Sequence, residues 1–120
     1  MAQTHKFGIY RHDSGQSPAK IQIILKKAGV TVALTTDHPV SRLQYLPVCA
    51  AFAAKEGLGR YNALRAITID AAKICRVDNR LGSIKVGKDA DIVIYNGDPL
   101  DIFSTVYTTI IDGKVVWPQK

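Results

Sequence analysis

Residues Val30-Thr31-Val32-Ala33-Leu34 form an apolar, β-branched run broken only by one threonine. A strand with one face in water alternates apolar and polar residues, whereas a strand covered on both faces does not. The run therefore reads as a strand sandwiched between helices, in a parallel sheet. It closes on Thr35-Thr36-Asp37-His38-Pro39. A lone carboxylate sits at its C-terminal end, and a proline follows to stop the strand.

Both flanks read as helix. Ser17-Pro18 opens the first, as a cap followed by a proline whose missing N–H is harmless in the first turn. Ile21, Ile24, Leu25 and Ala28 follow at helical spacing, and Gly29 fits a left-handed terminating residue. Arg42 to Lys55 reads as the next helix, with Leu46, Cys49, Ala50 and Ala53 on one face and Pro47 tolerated only near its start. Tyr61 to Ile67 and Ile69 to Cys75 follow, joined at a capping Thr68. Ala63, Leu64, Ile67, Ala71 and Ile74 form their buried stripe.

The pattern changes after Arg76. From Gly82 the apolar period becomes two, which predicts strands at Ser83–Val86 and Ala90–Tyr95. A hairpin follows, Val106–Ile111 with Lys114–Trp117, turning at Asp112-Gly113. The fold class is α/β. Residues 1–77 make a helix-strand-helices part, and residues 78–120 make an all-β tail. Met1 to Gly15 carries His5, His12 and Asp13 at a spacing that fits no standard metal motif, so it reads as irregular chain. Phe7, Tyr10 and Arg11 there are pocket-lining candidates that no pattern supports.

Composition excludes several functions. The net charge is +6, with eight Lys+Arg against three acids in residues 1–60 and eight against seven in residues 61–120. The basic residues are scattered rather than gathered in a stripe with aromatics, so they read as solvated surface and not as a nucleic-acid interface. No apolar run approaches the roughly 20 residues that span a bilayer, and no apolar stretch follows the N-terminal charges as in a secretory leader. Cys49 and Cys75 stand apart. They read as reduced, mostly buried thiols of a cytoplasmic protein. Nucleophile-elbow, phosphate-loop, dinucleotide and zinc-finger spacings do not occur.

Asp37 has two readings. A carboxylate at the C-terminal end of a barrel strand can ligate a divalent metal and accept a proton from metal-bound water, whose pKa the metal lowers to about 7. It can equally cap the turn before Pro39 through Asx hydrogen bonds. His38 is likewise open: it can orient substrate or polarise a carbonyl, or bond to loop backbone.

The tail carries a resemblance. Residues 63–72, Ala-Leu-Arg-Ala-Ile-Thr-Ile-Asp-Ala-Ala, lead into residues 80–94, Arg-Leu-Gly-Ser-Ile-Lys-Val-Gly-Lys-Asp-Ala-Asp-Ile-Val-Ile. The chain closes on Ile-Asp-Gly-Lys-Val-Val-Trp at 111–117. From about Ser17 onward it resembles the C-terminal portion of the amidohydrolase superfamily, near its imidazolonepropionase-like members. The resemblance implies a metal-dependent (β/α)8 barrel beside a small β-sandwich. Residues 1–77 would be the C-terminal segment of the barrel, with Val30–Thr36 its eighth strand, and residues 78–120 the sandwich segment, where Asp89 and Asp91 are structural. Asp37 would be both metal ligand and general base, and His38 a substrate-binding residue. A metal hydroxide would attack a carbonyl or amidine carbon of a small amide or cyclic amide. Asp37 would take the water's proton and pass it to the leaving nitrogen. Deaminases of the superfamily share the same Asp and tail.

The chain departs from that pattern upstream of Asp37, where the family's His-x-His, its bridging Lys or Glu and its two later His have no counterparts. One Asp cannot hold a catalytic zinc, which takes about three protein ligands and a water. The expectation is thus the C-terminal part of a longer enzyme, whose zinc or other divalent metal is not bound by this chain alone. An isolated barrel strand would also seek a partner, so self-association into a homo-oligomer is expected. A non-catalytic, self-associating unit is the alternative.

Overall fold

A computed structural model describes residues 18–36 and 38–118. The capping Ser17, the His5, His12 and Asp13 group, the pocket-lining candidates Phe7, Tyr10 and Arg11, and Asp37 all lie outside the described residues. Helix α1 spans Pro18–Lys27. Its end matches the glycine signal: Gly29 has φ 79°, its N–H bonds the Lys26 carbonyl, and the Val30 N–H reaches back to Leu25. These two bonds form a Schellman cap, which satisfies carbonyls that the helix leaves open.

The helix expected over Arg42 to Lys55 is divided. A 3₁₀ turn at Leu43–Tyr45 leads into α2, Leu46–Ala53, with Pro47 in its first turn. A π-helical turn, Ala54–Leu58, then bends at Gly57 (φ 115°). An added Cβ at Gly57 would stand 3.3 Å from Ile23 Cδ1, so α1 packs directly on this bend. Helices α3 (Arg60–Ala66) and α4 (Ile69–Ile74) follow. The expected Thr68 cap is not made. The Thr68 hydroxyl donates instead to the Leu64 carbonyl behind it, at 2.6 Å.

The core lies where these helices meet. Ala50, Ala53, Leu58, Ala63 and Leu100 are buried together, with Ile23, Leu34, Leu64 and Ile67 packed around them. Three of the five are alanines, which let helices approach closely. A buried CH₂ contributes about 0.8 kcal/mol, so an alanine-rich core is modest. Cys49 is half-buried, but Cys75 is exposed, correcting the expectation of two buried thiols; both are free.

The run from Val30 to Thr36 is not a paired strand among the described residues. Leu34 N–H donates instead to the Ala66 carbonyl at the end of α3. A β-branched apolar run acquires strand pairing only when a neighbouring strand accepts it. Val32 and Thr36 are its buried residues.

The tail forms a three-stranded antiparallel sheet in the order β1 (Ile92–Tyr95), β2 (Val106–Ile111), β3 (Lys114–Trp117). The β2–β3 hairpin turns where Asp112-Gly113 predicts. Both residues have positive φ, 50° and 74°, as a two-residue hairpin turn requires. The strand expected at Ser83–Val86 is a loop instead, with Ile84 86% and Val86 fully exposed; alternation without a neighbouring strand does not make one. Among the described residues, no helix is long and apolar enough to cross a membrane.

One glycine in this loop fixes how the tail meets the helices. Gly82 has φ 82°, and a Cβ added there would lie 2.7 Å from Ala72 Cβ and 3.0 Å from Ile69 Cα. Gly82→Ala therefore combines a left-handed backbone penalty with a clash against the α4 backbone, together about 3 kcal/mol. Gly87, at φ 87° with open space around it, isolates the backbone part; its alanine variant should lose about 1 kcal/mol. Thermal unfolding should place Gly82→Ala roughly 10 °C below wild type, with Gly87→Ala much closer. Equal losses in the two variants would contradict this packing.

Candidate functional site

Thr36 is 5% exposed, and its hydroxyl has no hydrogen-bond partner among the described residues. His38 follows in an exposed turn, residues 38–40. The described residues bring no three His, Cys, Asp or Glu side chains close enough to hold a metal ion. A groove of about 180 Å³ lies between α2 and the sheet, lined by Pro47, Val48, Tyr95, Leu100 and Val106 among others; Thr36 and His38 are not in its lining.

The strongest electrostatic feature lies elsewhere. Asp70, in the first turn of α4, is 2% exposed. Its Oδ1 accepts from Arg65 Nη2 at 2.6 Å, and its Oδ2 from Lys26 Nζ at 2.9 Å and Arg65 Nε at 3.4 Å. The fork geometry of arginine suits a carboxylate bidentately. Burial pushes the Asp70 carboxyl up, but the hydrogen bonds from Arg65 and Lys26, with their charges, outweigh it and hold the group below the usual carboxylate range. Arg65 also donates to the Tyr61 hydroxyl at 3.3 Å, with its guanidinium 5.6 Å from that ring's centre. The triad joins α1, α3 and α4. Both Asp70 oxygens are engaged, so its arrangement is that of a clamp rather than of a proton carrier.

The loop before the sheet is held in the same polar manner. Lys88 Nζ donates to the Leu81 carbonyl, the Ser83 hydroxyl and the Asp78 carbonyl. Arg80 pairs with Asp89, and Asp91 Oδ1 accepts the Asp112 N–H at 2.9 Å. Asp89 and Asp91 thus shape the loop and the hairpin turn. Arg60 at the start of α3 pairs with Asp98 after β1, tying helices to sheet. The apolar stripe read along α3 and α4 passes over Asp70, because a polar residue among apolar ones reads as a surface position. Its partners gave no local signal: Lys26 is 44 residues away, and Arg65 precedes it by five.

Helices with an apolar segment between them and a sheet held by polar contacts are the frame onto which known proteins map. Residues 24–117 match the model of the amidohydrolase family, and the chain belongs to that family. An amidohydrolase from Thermotoga maritima superposes with a TM-score of 0.81 at 40% identity, over 84% of this chain and 26% of its own. A Xaa-Pro dipeptidase structure gives 0.70 at 27% identity, over 81% of this chain and 25% of that one. By sequence, an imidazolonepropionase of Treponema denticola is 37% identical over 108 residues, covering 86% of this chain and 25% of that protein. A 5-methylthioadenosine/S-adenosylhomocysteine deaminase of Thermoanaerobacter pseudethanolicus is 32% identical over 127 residues, covering 85% and 29%. The chain spans less than a third of the length of each of these relatives. The family hydrolyses C–N bonds and generally uses a divalent metal.

Proposed function

We propose that this chain supplies the proton-handling carboxylate, Asp37, to an amidohydrolase that cleaves the C–N bond of a small amide or cyclic amide. The observation that carries this reading is the family match across residues 24–117, which encloses Asp37 and the apolar segment leading to it. In the proposed reaction a water oxygen bonds to the carbonyl carbon as Asp37 takes its proton. The C–N bond then breaks, and the nitrogen leaves with that proton. The products are an acid and an amine, and the carboxylate is regenerated. His38, exposed beside Asp37, is proposed to contact substrate. A divalent metal, zinc by preference, would take most of its donors from polypeptide outside the described residues, with Asp37 as this chain's share. The barrel part is proposed to run to residue 77 and the sandwich part from 78 to 120, in a cytoplasmic enzyme.

Turnover by the protein purified from its native source tests this, with Xaa-Pro dipeptides, imidazolone-type cyclic amides and 5-methylthioadenosine as probes. Release of proline and a second amino acid from the dipeptides, or opening of the cyclic amide to a single product that carries the new carboxyl group, is expected. Ammonia from 5-methylthioadenosine alone would move the reading to a deaminase, which the 32%-identical relative favours as the second choice.

Self-association belongs to the same proposal. All four residues of β3 are exposed, with Val115 at 63% and Trp117 at 54%, on a strand with a free edge. Free apolar edges pair with other chains. Sedimentation of the 120-residue chain should show a concentration-dependent dimer or larger species. A compact monomer across the range would remove this part.

A further inference from the structure

The loop that carries Gly82 against α4 is gathered around one ammonium. Lys88 Nζ donates to Ser83 Oγ at 2.7 Å, to the Leu81 carbonyl at 3.2 Å and to the Asp78 carbonyl. An ammonium has three donors and no acceptor, so these oxygens match its full capacity. Neither carbonyl accepts a main-chain N–H among the described residues. The main chain sets the side chain in place: the Asp89 N–H donates to the Arg80 carbonyl at 3.0 Å, and the Lys88 N–H to the Lys85 carbonyl at 3.1 Å. Asp89, the adjoining carboxylate, is taken by Arg80.

Oxygens from residues 78, 81 and 83, none of them a carboxylate, thus converge on a single positive atom. Neutral oxygens arranged in this way replace the hydration shell of a small cation. We propose that they form a cradle for a primary ammonium, filled in the native protein by Lys88 and open to a primary alkylammonium from solution when that side chain is cut back. The acceptors set the chemical class. A compact charge with three divergent N–H donors fits them. A guanidinium directs its donors into one plane, and a quaternary ammonium has none. The cradle is independent of Asp37 and of the reaction.

Thermal unfolding of the 120-residue chain tests this. Lys88→Ala removes the heavy atoms of propylammonium, and Lys88→Met keeps most of the length without the charge. Both should unfold about 5 °C or more below wild type. Lys88→Arg, which keeps the charge but not the geometry, should also stay below it. Propylammonium chloride should raise Lys88→Ala toward wild type with a saturating dependence on concentration. It should move wild type, whose cradle is full, no more than tetramethylammonium chloride does. A Lys88→Met chain as stable as wild type would overturn the proposal. So would equal shifts of wild type and Lys88→Ala by propylammonium, or rescue by tetramethylammonium as good as by propylammonium. If Lys88→Ala does not fold, acetylation of wild type decides. Lys88, with its donors engaged, should react with acetic anhydride about tenfold or more slowly than its exposed neighbour Lys85, and equal rates at the two lysines would overturn the cradle.

Discussion

Asp37→Asn should lower kcat about 10³-fold in the native enzyme, if the proposed role of Asp37 holds, while leaving the melting curve of the chain unchanged. General-base catalysis contributes about 10²–10⁴-fold, and each factor of ten is 1.36 kcal/mol, so the loss corresponds to about 4 kcal/mol of barrier. Asparagine keeps the shape and hydrogen-bonding reach of the side chain but cannot take a proton from water. Asp37→Glu keeps the base and misplaces it, and should fall between the two. Near-normal turnover in Asp37→Asn, measured by steady-state kinetics, would leave Asp37 as a turn cap.

Asp70→Ala should cost about 3 kcal/mol of stability, a loss as large as that expected of Gly82→Ala. Removing one partner of a buried ion pair typically costs about 3–5 kcal/mol because a charge is left behind without compensation. The lower end applies here, since the Arg65 and Lys26 side chains remain 29% and 28% exposed and can turn toward water. With a core rich in alanine, that loss is a large share of a typical total of about 5–15 kcal/mol. The pH dependence follows from the same triad. Asp70 is held below the usual carboxylate range in the fold. Its contribution is therefore complete above the unfolded-state value near 4 and is lost as pH falls through the lower folded value. Urea unfolding from neutral to acid pH should show this decline in wild type and a flatter profile in Asp70→Asn. A steep acid limb surviving in Asp70→Asn would place the titrating group elsewhere.

Local chemistry made part of this fold legible from sequence. Gly29 and Asp112-Gly113 mark a helix end and a hairpin turn because positive φ is a property of the residue itself, and both turns form as read. Pro47 does sit in the first turn of α2, but the helix read from Arg42 begins as a 3₁₀ turn and only becomes α-helical at Leu46. Non-local features were not legible. Strand pairing at residues 30–36 depends on a neighbour that the described residues do not supply. Period-two alternation at Ile84 and Val86 means nothing where no strand lies beside it. Asp70 was read past because its two cations come from α1 and α3, at spacings that no helical or strand period marks. Thr36 was read only as part of the segment, since an orphaned hydroxyl exists only once burial and partners are known.

The central claim is that this family member cleaves C–N bonds with water as the incoming group. Turnover of a small amide in ¹⁸O-labelled water by the protein purified from its native source tests it most directly. One ¹⁸O in the acid product, with one equivalent of free amine and its loss in Asp37→Asn, is the predicted result. Failure to open any amide, cyclic amide or aminated probe, or an acid product free of label, would contradict it.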